Sequence, residues 1–121
     1  MFERLAGADF CYLTTAGRRT GRLHTVEMWF AIEHHTLYCL AGGGSGADWV
    51  RNIRHDGAVR VRINSQMAPA RGRVIRAGTS EDARARRLLD EKYMGGAPDK
   101  PLSGWARTAL SVAIDLPVER A

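Results

Sequence analysis

Very few residues separate one alternating segment of this chain from the next. Residues 23–32 and 36–41 are joined only by Glu33-His34-His35, and residues 58–63 and 66–76 only by Asn64-Ser65. Connections this short link antiparallel neighbours, because a parallel crossover needs about a dozen residues or more. Alternation at period two marks six strands, over residues 10–15, 23–32, 36–41, 58–63, 66–76 and 108–116. Two helical stretches interrupt them, Asp48 to Arg54 and the segment opened by Thr79-Ser80-Glu81-Asp82 and ended by Gly95-Gly96. That is too few helices for a parallel sheet. The expected class is α+β, a single 121-residue domain built as a small closed barrel of about six mostly antiparallel strands with helices at its rim.

Local patterns sharpen these expectations. Residues 23–32 are read as one strand, with His24, Val26, Met28, Phe30 and Ile32 facing the core and Trp29 on the mixed face. Pro69 and Gly72 mark the fifth strand as an edge or as bent. Either Ser45 or Asp48 is positioned to cap the first helix, and Thr79 with Asp82 has capping-box spacing for the second. The second helix should bury Ala85, Leu88, Leu89 and Tyr93. Cys11 and Cys39 lie inside strands without C-x-x-C spacing and read as reduced core residues. His34 and His35 have no carboxylate or cysteine partner at ligand spacing, so no metal site is expected.

A formal net charge of +5 calls for an anionic partner. The charge is concentrated in Thr14-Thr15-Ala16-Gly17-Arg18-Arg19-Thr20-Gly21-Arg22-Leu23-His24-Thr25, with no acid before Glu27. Glycines there let main chain approach a ligand, and arginine forks match phosphate or carboxylate oxygens in pairs. A second loop, Gly42-Gly43-Gly44-Ser45-Gly46, leads into the first helix and also suits an anion or a polar ring edge. A nucleic-acid partner is not expected, because exposed aromatics do not recur among the arginines as a stacking platform requires. No apolar run is long enough to span a bilayer, and the first residues lack a signal peptide's apolar core, so a cytoplasmic protein is expected.

The run Tyr12-Leu13-Thr14-Thr15-Ala16-Gly17-Arg18-Arg19-Thr20-Gly21-Arg22 resembles the "LLTTxGRKTGxxR" opening of the deazaflavin-dependent nitroreductase and quinone reductase family of actinobacteria. Ala41-Gly42-Gly43-Gly44 followed by Trp49-Val50-Arg51-Asn52-Ile53 is similar to that family's "ASxGG…xWYxNL" segment. Together the resemblance spans about residues 10–93.

It implies a split β-barrel of the flavin-reductase type that binds coenzyme F420, an 8-hydroxy-5-deazaflavin with a phospholactate and oligoglutamate tail. Arg18, Arg19, Thr20, Gly21 and Arg22 would hold the tail, with Gly42, Gly43, Gly44, Ser45, Trp49 and Asn52 near the ring. Hydride would pass from C5 of the reduced ring to a small acceptor such as a quinone, enone or nitro compound, with Trp29, Tyr93 and Trp105 as candidate walls of the acceptor pocket. FMN or haem is the alternative ligand within the same fold, and a homodimer is possible. Three departures stand out: Arg19 replaces the usual lysine, the glycine loop lacks the usual serine and is shorter before Trp49, and no tyrosine-rich segment follows residue 93.

Overall fold

The computed structural model describes residues 2–118. A 3-10 turn, Phe2–Leu5, precedes strands β1 (Cys11–Ala16), β2 (Leu23–Met28), β3 (Ala31–Glu33) and β4 (Thr36–Ala41). Helix α1 (Asp48–His55), strands β5 (Ala58–Ile63) and β6 (Gln66–Val74), helices α2 (Ser80–Tyr93) and α3 (Gly104–Thr108) and strand β7 (Leu110–Asp115) follow. The strands form one sheet in the order β2-β1-β5-β6-β7-β4-β3, antiparallel at every pairing.

The sheet curls into a half-barrel and does not close, a correction to the expected closed barrel. Among the described residues no ladder joins β2 to β3, which end the sheet on opposite sides. The single strand expected over residues 23–32 is therefore two. β2 pairs with β1 and β3 with β4, while Trp29 and Phe30 cross between them. Leaving the ladder exposes the backbone of Phe30, and α2 satisfies it. The Phe30 N–H donates to the Tyr93 hydroxyl at 3.0 Å, and the Phe30 carbonyl accepts from Lys92 Nζ at 2.9 Å. The expected core face is also only partly core: Phe30 is fully buried, Val26 and Met28 are half-buried, and His24 is exposed.

Two apolar layers hold the curl. Inside it, Leu13, Phe30, Leu37, Val61, Ile63, Val112 and Ile114 pack with Val50 and Ile53 of α1. On the outer side of β3, β4 and β7, Tyr38, Leu40 and Ala113 pack against Ala85 and Leu89 of α2 and Ala106 of α3. Each fully buried large side chain contributes about 1.5–3 kcal/mol. Cys11 and Cys39 are buried free thiols, and burial pushes Cys11 up to about 12 and Cys39 well above the usual thiol value.

β6 changes partner along its length, pairing with β5 over Gln66–Arg71 and with β7 over Arg71–Val74, so Arg71 alone is in both ladders and Pro69 lies on a flank without a ladder partner, in keeping with the expected edge or bend. Gly72 is needed for packing, since a Cβ there would lie 3.0 Å from Ile53 Cδ1 and 3.2 Å from Ile114 Cδ1. Neither expected cap forms on α1, whose N-cap is Ala47 with no side-chain acceptor. α3 was hidden in sequence between prolines and a strand; Ser103 caps it by accepting from the Ala106 N–H at 3.2 Å.

α2 caps as expected, Thr79 accepting from the Asp82 N–H at 3.2 Å, but it also buries two carboxylates. Burial pushes Asp82 up, yet the Ser111 hydroxyl, the Gly78 N–H and Arg86 together hold its carboxyl below the usual aspartate range. A lowered folded value means stability present above the ordinary aspartate pKa of about 3.9 and lost as pH falls through the folded one. Asp82→Asn should cost about 1–3 kcal/mol at neutral pH and flatten the acid limb of the stability curve, read by urea unfolding at stepped pH. An unchanged acid limb would contradict this role.

Candidate functional site

The chain leaves β1 at Ala16 and closes at once into a tight turn. The Gly17 N–H donates to the Arg22 carbonyl at 2.7 Å and the Gly21 N–H to the Gly17 carbonyl at 2.8 Å. Gly21 sits at φ +74°, a conformation that glycine adopts without steric cost. Gly17 is tightly enclosed, since a Cβ would lie 3.2 Å from His24 Nε2 and 3.3 Å from the Arg22 carbonyl.

From this turn Arg18 reaches α1. Its backbone N–H and Nη1 both donate to Asn52 Oδ1, at 3.2 and 3.1 Å, and its Nη2 lies 3.3 Å from Asp48 Oδ1. The other end of the Asn52 carboxamide donates to the buried Thr15 hydroxyl at 3.0 Å. Arg19 makes no hydrogen bond or ion pair among the described residues. These groups surround a cavity of about 470 Å3, lined by Thr15, Gly17, Arg18, Arg19, Thr20, His24, Thr25, Val26, Asp48, Trp49 and Asn52.

A second cavity of about 580 Å3 opens beside it, lined by Val26, Glu27, Met28, Trp29, Leu40, Ala41, Gly42, Trp49, Met94 and Trp105. Val26 and Trp49 line both, so the cavity at the basic turn and the cavity at Gly42 adjoin. The first half offers cations and hydroxyls. The second is walled mainly by indole, thioether and aliphatic groups, with the Glu27 carboxylate, which accepts from the Tyr12 hydroxyl at 2.8 Å, as its charged member. Trp29 stacks flat on Tyr93, with centroids 4.4 Å apart and planes 1° apart, and meets Trp105 edge-on at 5.4 Å. The Tyr93 hydroxyl is committed to backbone, lying 2.9 Å from the Asp9 carbonyl and 3.0 Å from the Phe30 carbonyl.

The sequence-derived site residues divide accordingly. Arg18, Arg19, Thr20, Trp49 and Asn52 line the basic half, and Gly42, Trp49, Trp29 and Trp105 line the aromatic half. Gly21 and Arg22 build the turn without lining the cavity, and Tyr93 stands behind Trp29. Gly43, Gly44 and Ser45 also lie outside both linings. Gly44, at φ +63°, begins a 3-10 turn, Gly44–Gly46, which receives the Ala47 N–H on the Gly44 carbonyl at 3.2 Å and leads into α1.

Sequence reasoning missed Thr15, His24, Thr25, Val26 and Asp48 in the basic half, and Met28, Leu40 and Met94 in the aromatic half. One signal for His24 was present: the closing arginine of the quoted family opening falls on that position. Among the described residues, no group of three His, Cys, Asp or Glu side chains is placed to hold a metal ion, and no helix is long and apolar enough to cross a membrane.

An antiparallel seven-stranded half-barrel with helices at its rim defines a split-barrel fold. The profile of the F420H(2)-dependent quinone reductase family matches residues 1–113, and the chain belongs to that family of oxidoreductases. Comparison with curated protein sequences finds no match.

Among solved structures, the chain is similar to an F420-H2 dependent reductase, FDR-A, with a TM-score of 0.68 at 17% identity, covering 88% of this chain and 94% of that one. It is also similar to HutZ, the heme storage protein from Vibrio cholerae, with a TM-score of 0.70 at 9% identity, covering 98% and 89%. A FAD-binding protein from Mesorhizobium loti gives 0.66 at 13% identity, covering 96% and 86%. At these identities the three share the fold.

Asn52 joins the turn, β1 and α1, so its loss should loosen the basic half before the rest of the fold. Asn52→Ala is expected to lower stability by about 1–3 kcal/mol in urea unfolding, because Arg18 and Thr15 lose buried partners. Amide exchange should quicken at Arg18 while β4 and β7 stay protected. Uniform loosening across the sheet would contradict the local role.

Proposed function

We propose that the two adjoining cavities together form one cleft that binds coenzyme F420, its acidic tail in the basic half and its deazaflavin ring in the aromatic half, for reduction of a small acceptor. The observation that carries this reading is the sharing of Val26 and Trp49 between the two cavities. A single ligand with an anionic end and a flat end fits that pairing, whereas a free phosphate or a free aromatic molecule uses only half of it.

The donor set fits the coenzyme. Arg19 supplies a fork for phosphodiester and carboxylate oxygens, Arg18, held by Asn52 and Asp48, adds positive charge beside it, and the Thr20 hydroxyl adds an uncharged donor. Asp48 opposes them but lies at the cavity's edge with its side chain 85% exposed, where solvent screens its charge. When bound, the reduced deazaflavin supplies a hydride to an acceptor of the quinone, enone or nitro class.

The chain's own task is orientation and exclusion of water. Trp29 is held by Tyr93 behind it and Trp105 beside it, so the wall of the aromatic half is braced on two sides. A braced wall can hold two flat molecules face to face at about 3–3.5 Å without reordering on binding. Protein nucleophiles have no part in this scheme, in keeping with Cys11 and Cys39 being buried and held as thiols. FMN, whose phosphate offers the same kind of anchor, is the competing ligand.

Titration with oxidised F420, followed by quenching of its fluorescence, should show saturable binding, with FMN as control and little retained. Arg19→Ala should weaken F420 binding about tenfold, the effect of one charge-assisted hydrogen bond, without moving thermal stability. FMN binding tighter than F420, or unchanged F420 affinity in the variant, would contradict the assignment.

A further inference from the structure

His24 stands on β2, an edge strand, opposite the buried Thr15 of β1. Its ring lies against the turn because Gly17 has no side chain: a Cβ at position 17 would come within 3.2 Å of Nε2. The imidazole thereby lines the basic cavity.

Charged groups face this cavity from two directions, Arg18 and Arg19 from the turn and Asp48 from α1. β1 contributes only the Thr15 hydroxyl, and Thr20, Thr25 and Asn52 add further uncharged polar groups. Arg18 is engaged by Asn52 and Asp48. Arg19 and His24 make no side-chain hydrogen bond among the described residues, so they are the lining groups left to meet an incoming anion.

We propose that His24 is a proton-coupled anion-binding residue, taking up a proton as a phosphate or carboxylate group enters the cavity, so that the site's affinity rises as pH falls. The proposal rests on the reading of this cavity as the place of the coenzyme's acidic tail. An anion beside an imidazole favours the protonated ring, so the complex holds more protons than the free protein over the histidine range. Binding gains below that range and loses the gain as pH rises through the ligand-raised value. The arginines keep their charge throughout. F420's phosphodiester and carboxylates do not titrate there either. The result is an anchor of adjustable strength: fixed charge from Arg19 and pH-dependent charge from His24.

Calorimetric titration of the full chain with oxidised F420 at about pH 6 and about pH 8 tests this, each in two buffers of different ionisation enthalpy. The expected result is about tenfold tighter binding at the lower pH, with net proton uptake. His24→Gln should bind more weakly and lose most of the wild-type pH dependence, and His24→Arg should bind tightly at both pH values, any dependence common to all three belonging to the ring's acidic 8-hydroxyl.

Proton NMR of the histidine Cε1–H resonances with and without sulfate supplies an arm independent of the coenzyme, the His24 signal being assigned by its absence in His24→Gln. Sulfate should raise the His24 titration midpoint. If F420 fails to bind while sulfate raises that midpoint, the coenzyme reading falls and the proton-coupled anion site stands. A midpoint that sulfate leaves unmoved, or a pH dependence of F420 binding equal in wild type and His24→Gln, overturns the proposal.

Discussion

One buried carboxamide sets the geometry of the cleft. Asn52, only 3% exposed, accepts twice from Arg18 and donates to Thr15, so it ties α1 to the end of β1 and to the basic turn in a single contact. A buried amide left unpaired is costly, which makes this arrangement difficult to relax. Trp49 lies three residues earlier on the same helix and hence near the same face. Anchoring Asn52 therefore also places the indole that lines both cavities. The spacing between cationic turn and aromatic wall follows from that one side chain.

The aromatic half depends on a different constraint. Where the chain passes from β2 to β3 it leaves the ladder, and α2 supplies the partners the ladder would have given. Lys92 spends its three donors on the carbonyls of Ala6, Ala8 and Phe30, at 2.8–2.9 Å, and its ammonium lies 3.8 Å from the centre of the Phe30 ring. Burial pulls Lys92 below the ordinary lysine value. Its neighbour Tyr93 uses its hydroxyl on the same crossover and its ring as backing for Trp29. The cleft thus has two independently supported walls, one fixed through α1 and one through α2.

How much of this was legible follows from what alternation records. Strands whose neighbours lie close in sequence were plain: β4 and β5 fall on residues 36–41 and 58–63 as read. The break at Trp29 and Phe30 was invisible because apolar residues continue at period two through it, and alternation does not reveal a change of pairing partner. Pro69 and Gly72 pointed to an edge or a bend, and β6 does change partner there, with β5 beside it up to Arg71 and β7 from Arg71 on. Arg18 and Arg19 could be read because charge and glycines cluster in one turn. His24 was hidden because an inward position on an edge strand can face a cavity as easily as a core. Gly43 and Gly44 lie outside the cavity linings: Gly44 uses its positive φ at the entry to α1, and the cavity lining is left to Gly42.

The central claim is that one ligand spans both halves of the cleft. Comparing the affinity of intact F420 with that of the deazaflavin core lacking phosphate and glutamates measures it most directly, under identical pH and salt. A molecule engaging both halves should bind at least about a hundredfold tighter than the core alone, since attaching the tail makes the second contact intramolecular. Equal affinities for the two would contradict the account.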